Sequence, residues 1–587
     1  MRRLMLLLQL ALCGPMAQAQ DAAKQLESLF EQEWDLTMRE SPEHATWISH
    51  PGQNMRFSDY APAALTAHYE HLKVYLGQLK AIDRETLPPS TQISYDLAVR
   101  QTEEALEGQK FPAQFLVMNQ LSGVHQEVAQ LLSIQPAATV ADYRDILARL
   151  KAVPQLIEQT IAVLNEGLRQ GVTPPRITLR DVPAQIQAQL VTDPLKSTML
   201  QSFLHFPSTI PPAEQKALKD EAFALYRSGV LPAFTKLNHF FTTTYLPRTR
   251  TTISAADLPN GKEWYAYNAR VNTTTTLSPE AIHAIGLNEV TRLRKEMEGV
   301  IKEVKFKGDF AAFGKYLRSD PKFYFANKEQ LLAAYRDIAK RIDPQLPRIF
   351  GKLPRLPYGV LPVPPNSEKS QPSGYYRSGS IAGGRAGNFF ANTYDLNARP
   401  KWEMEALALH EAVPGHHLQI ALAQEQEDLP QFRKHGGYNA FTEGWGLYAE
   451  SLGHELGLYT DPYSHYGQLT FETWRAVRLV VDTGMHALGW SRQQAIDYFR
   501  ANTAKSDHDI VVEVDRYIVW PGQALSYKIG QLKIRELRTY AEENLGQRFD
   551  ERSFHDELLV SGAVPLDLLE KRIKTWVAAQ GKVERGA

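Results

Sequence analysis

The chain has almost no cysteine: Cys13 is the single one in 587 residues. That excludes an intrachain disulfide, a thiolate metal site and, past the start of the chain, a cysteine nucleophile. It also lacks an excess of either charge, with Lys+Arg 65 against Asp+Glu 66 and a net charge of -1. The basic surface that nucleic acid demands is therefore missing. No apolar run is long enough to span a bilayer; the run from Leu4 to Leu12 in "MRRLMLLLQLALCGPMAQAQ" is too short. Two arginines before that run and Ala17-Gln18-Ala19 after it predict a secretory signal over residues 1–19. The expected product is periplasmic or secreted, with no stable membrane insertion once the signal is gone. Lipid attachment at Cys13 is the lesser alternative, because Leu12 stands where a lipid box wants a small residue. A chain of this length can bury a core without disulfides.

What is present is helical periodicity. "AALTAHYEHLKVYLGQLKAI", "VADYRDILARLKAVPQLIEQTIAVLNEGLRQG" and "LLAAYRDIAKRI" all repeat apolar residues at i, i+3 and i+4. Gly171 and Pro174 close the second in the expected order. With no fixed-period repeat and no alternation of strand and helix, the fold class is mostly α. A helical region over residues 20–250 and a region over residues 251–587 that carries the chemistry is the coarse division. Residues 351–374, rich in proline, read as an extended connector. The following "YYRSGSIAGGRAGNFFANT" reads as a small glycine-rich hairpin or edge strand. A peptide adds to an exposed sheet edge through backbone hydrogen bonds, so this stretch, with Arg385 in its "GGRAG", is a candidate for holding substrate.

The chemistry centres on "ALHEAVPGHHLQI", residues 408–420. Zinc helices usually place two histidines four apart, and here Pro414 occupies the second place. In an unbroken helix His410 and His416 would point about 120° apart, and His410 and His417 would stand roughly 10 Å apart along the axis. Neither pair could share an ion. Pro414 and Gly415 offer a solution, since a helix bulging or restarting there would carry His416 to the i+4 position. Whether His416 or His417 arrives is left open at this level. Glu411 is then the general base beside metal-activated water. A third ligand belongs on a neighbouring helix, and Glu443 in "YNAFTEGWGLYAESLGHELG" is the best placed, with Glu450 oriented to support a ligand imidazole and His454 as an alternative ligand. A di-iron site would need two Glu-x-x-His motifs, and only Glu280 to His283 supplies one.

Other groups could complete such a site. "EVDRYIVWPGQALSYKIG" supplies Arg516, Tyr517 and Tyr527 around a second Pro-Gly step, where a tyrosine could donate to an oxyanion. "RAVRLVVDTGMHALGW" supplies Arg475, Arg478, Asp482 and His486. The arginines could grip a substrate carboxylate, or pair with Asp482 for structure alone.

"HEAVPGHHLQ", "TEGWGLYAE", "VVDTGMHALGWSRQQAIDYF", "EVDRYIVWPGQALSYKIG" and "LSPEAIHAIGLNEV" together resemble the bacterial domain of unknown function 885 family. The likeness covers residues 270–545 well and the earlier helices only in character. That family looks like a distant relative of thimet oligopeptidase and angiotensin-converting enzyme in the thermolysin-like zinc metallopeptidase superfamily. The resemblance implies a large helical bundle split by a deep cleft, with a small glycine-bearing sheet beside the zinc helix. It implies zinc on His410, His416 and Glu443, Glu411 as base, and an oxyanion tyrosine at Tyr517, with Tyr527 second. Arg385, Arg478, His486 and Arg516 are the expected substrate contacts. The two extra residues between Glu411 and His416 depart from the superfamily pattern. The resulting expectation is an exported zinc metallopeptidase of short peptides. The alternatives are a non-catalytic periplasmic peptide-binding protein and a metal hydrolase of non-peptide amides or esters.

Overall fold

The computed structural model describes residues 2–365, 368–369 and 371–582, with side chains from residue 20 to residue 580 within them. The expected signal over residues 1–19, with Cys13 inside it, falls outside the described side chains. Among the described residues no helix is long and apolar enough to cross a membrane. The chain packs as two compact units: residues 1–250 with 428–433, and residues 251–427 with 434–587.

The first unit is helical and organised on α1 (Val140–Gln170). Thr139 and Asp142 close a reciprocal capping box at its start, and Gly171 ends it in the left-handed conformation at φ 71°. Leu150, Val153, Ile157 and Leu164 lie on one face and are fully buried among Phe203, Phe234 and Phe241. Each such side chain contributes about 2 kcal/mol of burial.

The second unit is also mostly helical, around a three-stranded sheet. Its main helices are α2 (Pro279–Glu303), α3 (Met404–Glu411), α4 (His416–Glu425), α5 (Asn439–Ser451), α6 (Pro462–His486), α7 (Asp507–Val519) and α8 (Ser526–Leu545). From Leu469 to His486 every residue of α6 is buried, including charged ones, so this helix runs through the interior. The strands are β1 (Tyr358–Pro362), β2 (Gly374–Arg377) and β3 (Gly387–Ala391), in the order β1-β3-β2. β3 pairs parallel to β1, with Val360 opposite Phe389, and antiparallel to β2, with Tyr376 opposite Phe389.

This order corrects two sequence expectations. The proline-rich connector contains β1, whose prolines sit at and beyond its ends. The glycine-rich stretch does form a hairpin, but its second strand is the middle of the sheet: β3 has both edges paired and cannot accept a peptide strand. β1 and β2 are the edges.

Candidate metal centre

The stretch at residues 408–420 is not one helix. α3 stops at Glu411 and α4 starts at His416, with a cis Val413–Pro414 peptide between them. Ala412 N–H closes α3 on Ala408 O at 2.9 Å, and His417 N–H bonds back across the bulge to Ala412 O at 3.1 Å. Gly415 is required for space rather than for an unusual φ, which is -72°. A Cβ there would lie 1.9 Å from the His410 carbonyl oxygen. Trp445, fully buried on α5, donates its indole N–H to Pro414 O at 2.8 Å and fixes the bulge from the neighbouring helix.

The bulge brings His410, His416 and Glu443 together, each offering a ligand atom within 4.8 Å of the others. No other group of three such residues occurs among the described residues. Glu443 Oε2 is 3.6 Å from His410 Nε2 and 3.4 Å from His416 Nε2. Two donors bound tetrahedrally to one zinc at about 2.05 Å stand about 3.3 Å apart, so the spacing suits a shared ion. Glu443 Oε2 is buried with no hydrogen-bond partner although two imidazole nitrogens face it, which is what a missing cation would leave. The set also fits zinc chemically: two imidazoles and one carboxylate, the pattern of catalytic sites that keep a fourth position open.

Electrostatics favour a positive charge here. Burial alone would pull the His410 imidazole down, but the carboxylates of Glu443 and Glu450 outweigh it and hold its pKa at about 9. Burial works against ionised Glu443, yet His410 and His416 bring its pKa well below the ordinary carboxylate range. Glu450 is fully buried two turns further along the same face of α5, with Oε1 2.8 Å from His410 Nδ1 and 3.1 Å from Arg475 Nη2. Arg475 is thus tied to Glu450 and not to Asp482.

Glycines set these distances. Gly444 on α5 meets Gly530 on α8 backbone to backbone; a Cβ on Gly530 would lie 1.9 Å from Ala440 O. A Cβ on Gly446 would come within 2.7 Å of the His410 ring. The close crossing carries Tyr527, one turn before Gly530, to a stacked position 6.1 Å from His410 between ring centres.

His417 is committed elsewhere. Its Nε2 is 3.0 Å from Leu356 O and its Nδ1 is 2.9 Å from the Tyr376 hydroxyl, so Nε2 carries the proton and Nδ1 accepts. Burial lowers its pKa to about 4. Tyr376 on β2, absent from the sequence reading, reaches it because Gly387 on β3 has no Cβ to block the hydroxyl. The Tyr-x-Ser-Gly spacing that starts at Tyr376 carries no signal of this long-range contact. The Glu411 side chain, at the end of α3, makes no hydrogen bond or ion pair among the described residues, and the residue is 7% exposed.

Several expected site residues lie apart from the cluster. The Tyr517 hydroxyl donates to Glu513 at 2.7 Å and accepts from Trp474 and Arg478 at 3.0 and 2.9 Å. It is saturated and buried, and burial raises its pKa well above normal, so its proton is committed to Glu513. Both nitrogens of His486 face backbone, Ala255 N–H at 3.0 Å and Tyr517 O at 3.0 Å, which makes it a tie between segments rather than a substrate contact. Arg478 is buried against Glu513, with Nη2 at 3.0 Å. Arg385 closes the hairpin tip, its backbone bridged to Ser380. Arg516 does reach the cluster's neighbourhood, donating to the Tyr527 hydroxyl at 2.9 Å. His454 is exposed and packs on Tyr459 and His465, and His283 bonds Thr483, so neither belongs to a metal group.

Fold and site together define a mostly helical protein in which two histidines of a broken helix meet a glutamate of its neighbour. The model for the bacterial proteins of unknown function called DUF885 matches residues 42–573, and the chain belongs to that family. It is similar to a crystal structure from Colwellia psychrerythraea, provisionally described as a lipoprotein, with 28% identity and a TM-score of 0.89 over 95% of this chain and 99% of that one. A protein from Shewanella oneidensis, provisionally described as a lipoprotein of unknown function, shares the fold, with 17% identity and a TM-score of 0.71 over 92% and 98% of the two chains. No curated protein matches the chain.

Proposed function

We propose that the protein is an exported, zinc-dependent metallopeptidase acting on short peptides. The observation that carries this reading is the convergence of His410, His416 and Glu443 at ligand spacing beside an uncommitted Glu411. When bound, zinc supplies Lewis acidity and acidifies a water toward neutral pH. Glu411 would serve as the general base toward the attacking water and as the acid that returns the proton to the leaving amine. Tyr527 receives a hydrogen bond from Arg516 on its oxygen, so its own proton is free to point at the developing oxyanion. Glu450 holds His410 by its far nitrogen, and Arg475 holds Glu450. The resemblance to the thermolysin-like superfamily supports the reading through the ligand pattern alone, across a two-residue expansion that the bulge absorbs. β2, a sheet edge lying against α4 through Tyr376 and His417, is where an extended peptide backbone could add.

Export is part of this reading, supported by the signal-like start and by the description of the Colwellia relative. That description also favours Cys13 as a lipid attachment point, the finer alternative.

Purified protein is expected to hold one zinc per chain and to cleave a mixed peptide library, with cleavage lost to chelator. Glu411→Gln should keep the metal and lose turnover. Hydrolysis that persists in metal-free protein would overturn the proposal; peptides bound but never cut would leave a binding protein, and cleavage of esters alone a different hydrolase.

A further inference from the structure

Three guanidinium groups gather around one phenol beside the candidate metal centre. Those of Arg478 and Arg475 lie 4.1 and 5.8 Å from the centre of the Tyr527 ring, and Arg516 donates to the Tyr527 hydroxyl. Two carboxylates answer these three cations. Glu450 pairs with Arg475 at 3.1 Å and Glu513 with Arg478 at 3.0 Å. Arg516 Nη1 stands 3.7 Å from the remaining oxygen of Glu513, beyond hydrogen-bond reach. Glu443, whose charge Arg516 also feels, is committed to the metal cluster. Asp482 is engaged by Tyr265 at 2.6 Å and by the Gly522 N–H at 3.1 Å.

By its ion pairs the layer holds one positive charge more than its carboxylates answer. Arg478 Nη1, Arg475 Nε and Arg516 Nε are buried without a hydrogen-bond partner, and so are Glu513 Oε1 and both Glu450 oxygens, so the groups present do not satisfy one another. Unpaired buried cationic donors are costly, and they persist where a ligand supplies the missing anion. Arg516 is the member through which a ligand would enter: its side chain keeps 14% of its surface exposed, against 2% for Arg478 and 4% for Arg475.

We infer that Arg516, backed by Arg478 and Arg475, binds a carboxylate of the substrate. This rests on the peptidase reading only in taking the carrier of that carboxylate to be a peptide. The anion is either a free C-terminus, which would make the enzyme cut near the end of its substrate, or the side chain of an acidic residue. A planar guanidinium fork suits a carboxylate in either setting.

The test is calorimetric titration of zinc-loaded Glu411→Gln protein with three probes: an acetylated tetrapeptide ending in a free carboxylate, the same peptide as its amide, and an amide whose last residue is glutamate. At least one acidic probe should bind about tenfold or more tightly than the neutral amide, as charged hydrogen bonds imply. Which acidic probe wins identifies the source of the anion. Arg516→Gln should erase the difference and still bind the neutral amide. Equal binding of all three probes, or a preference that survives Arg516→Gln, would overturn the inference. The probe ranking can also be read on unaltered, metal-free protein, so a variant that does not fold leaves it decidable. Because binding is read without turnover, a carboxylate preference in a protein that cuts no peptide would sink the peptidase reading and leave this one standing.

Discussion

Gly446→Ala is the most direct probe of how the helices hold the metal ligands. In an exposed helix, replacing glycine by alanine stabilises by about 1 kcal/mol through backbone entropy. At Gly446 the new methyl would sit 2.7 Å from His410 Cε1 and 3.0 Å from both ring nitrogens. Comfortable carbon contacts are about 3.5 to 4.0 Å, so the ring must retreat by most of an ångström. It has little room: His416 lies 4.6 Å away between ring centres, Tyr527 lies 6.1 Å away, and Glu450 holds Nδ1. Overpacking of this kind costs about 1 to 3 kcal/mol, which largely offsets the propensity gain, so the fold should survive. The metal should not be indifferent, because ligand positions tolerate only about 0.2 Å. We expect zinc affinity to fall roughly 10- to 100-fold, the range seen when ligand support is disturbed. The assay is competition with a chromogenic chelator, alongside thermal unfolding of metal-free protein. Gly299→Ala on α2 is the control: an added Cβ meets nothing within 4 Å there, so it should stabilise slightly and leave zinc binding unchanged. Gly446→Ala protein that binds zinc as tightly as the control would refute the account of how α5 positions His410.

Asp482 is pushed up to about 7 by burial, against the hydrogen bonds from Tyr265 and Gly522. A carboxyl whose folded pKa is raised gives stability that is full below its unfolded pKa near 4 and is lost as pH rises through about 7, here roughly 4 kcal/mol. Asp482→Asn should therefore flatten unfolding free energy between pH 4 and 7 and raise it at pH 8; urea titrations across that range would contradict this by showing an unchanged slope. Lys528, fully buried, faces Glu289 and Glu472 at 2.8 Å each. Lys528→Met should cost about 3 to 5 kcal/mol by leaving buried carboxylates short of a partner, and Glu472→Gln in the same chain should recover part of it. Equal stability of the single and double variants by urea unfolding would count against that pairing.

The local chemistry was legible in the order of residues. Helical periodicity made the chain mostly α, and the six-residue step from His410 to His416 demanded a break that Pro414 and Gly415 were suited to make. Those are properties of neighbouring residues, where covalent geometry and helix phase act within one or two turns. Tertiary structure decided which side chains face one another across helices. It tied His417 to Leu356 and Tyr376, made Tyr517 a saturated hub and set Tyr527 beside His410, although the two tyrosines are ten positions apart in one motif. It also placed β3 in the middle of the sheet, because β1 comes from a proline-rich stretch that pairs in parallel across a long loop. Such choices turn on glycine-to-glycine crossings and on which buried charge finds which partner. Those are energies of packing between distant segments, and no spacing within a motif encodes them.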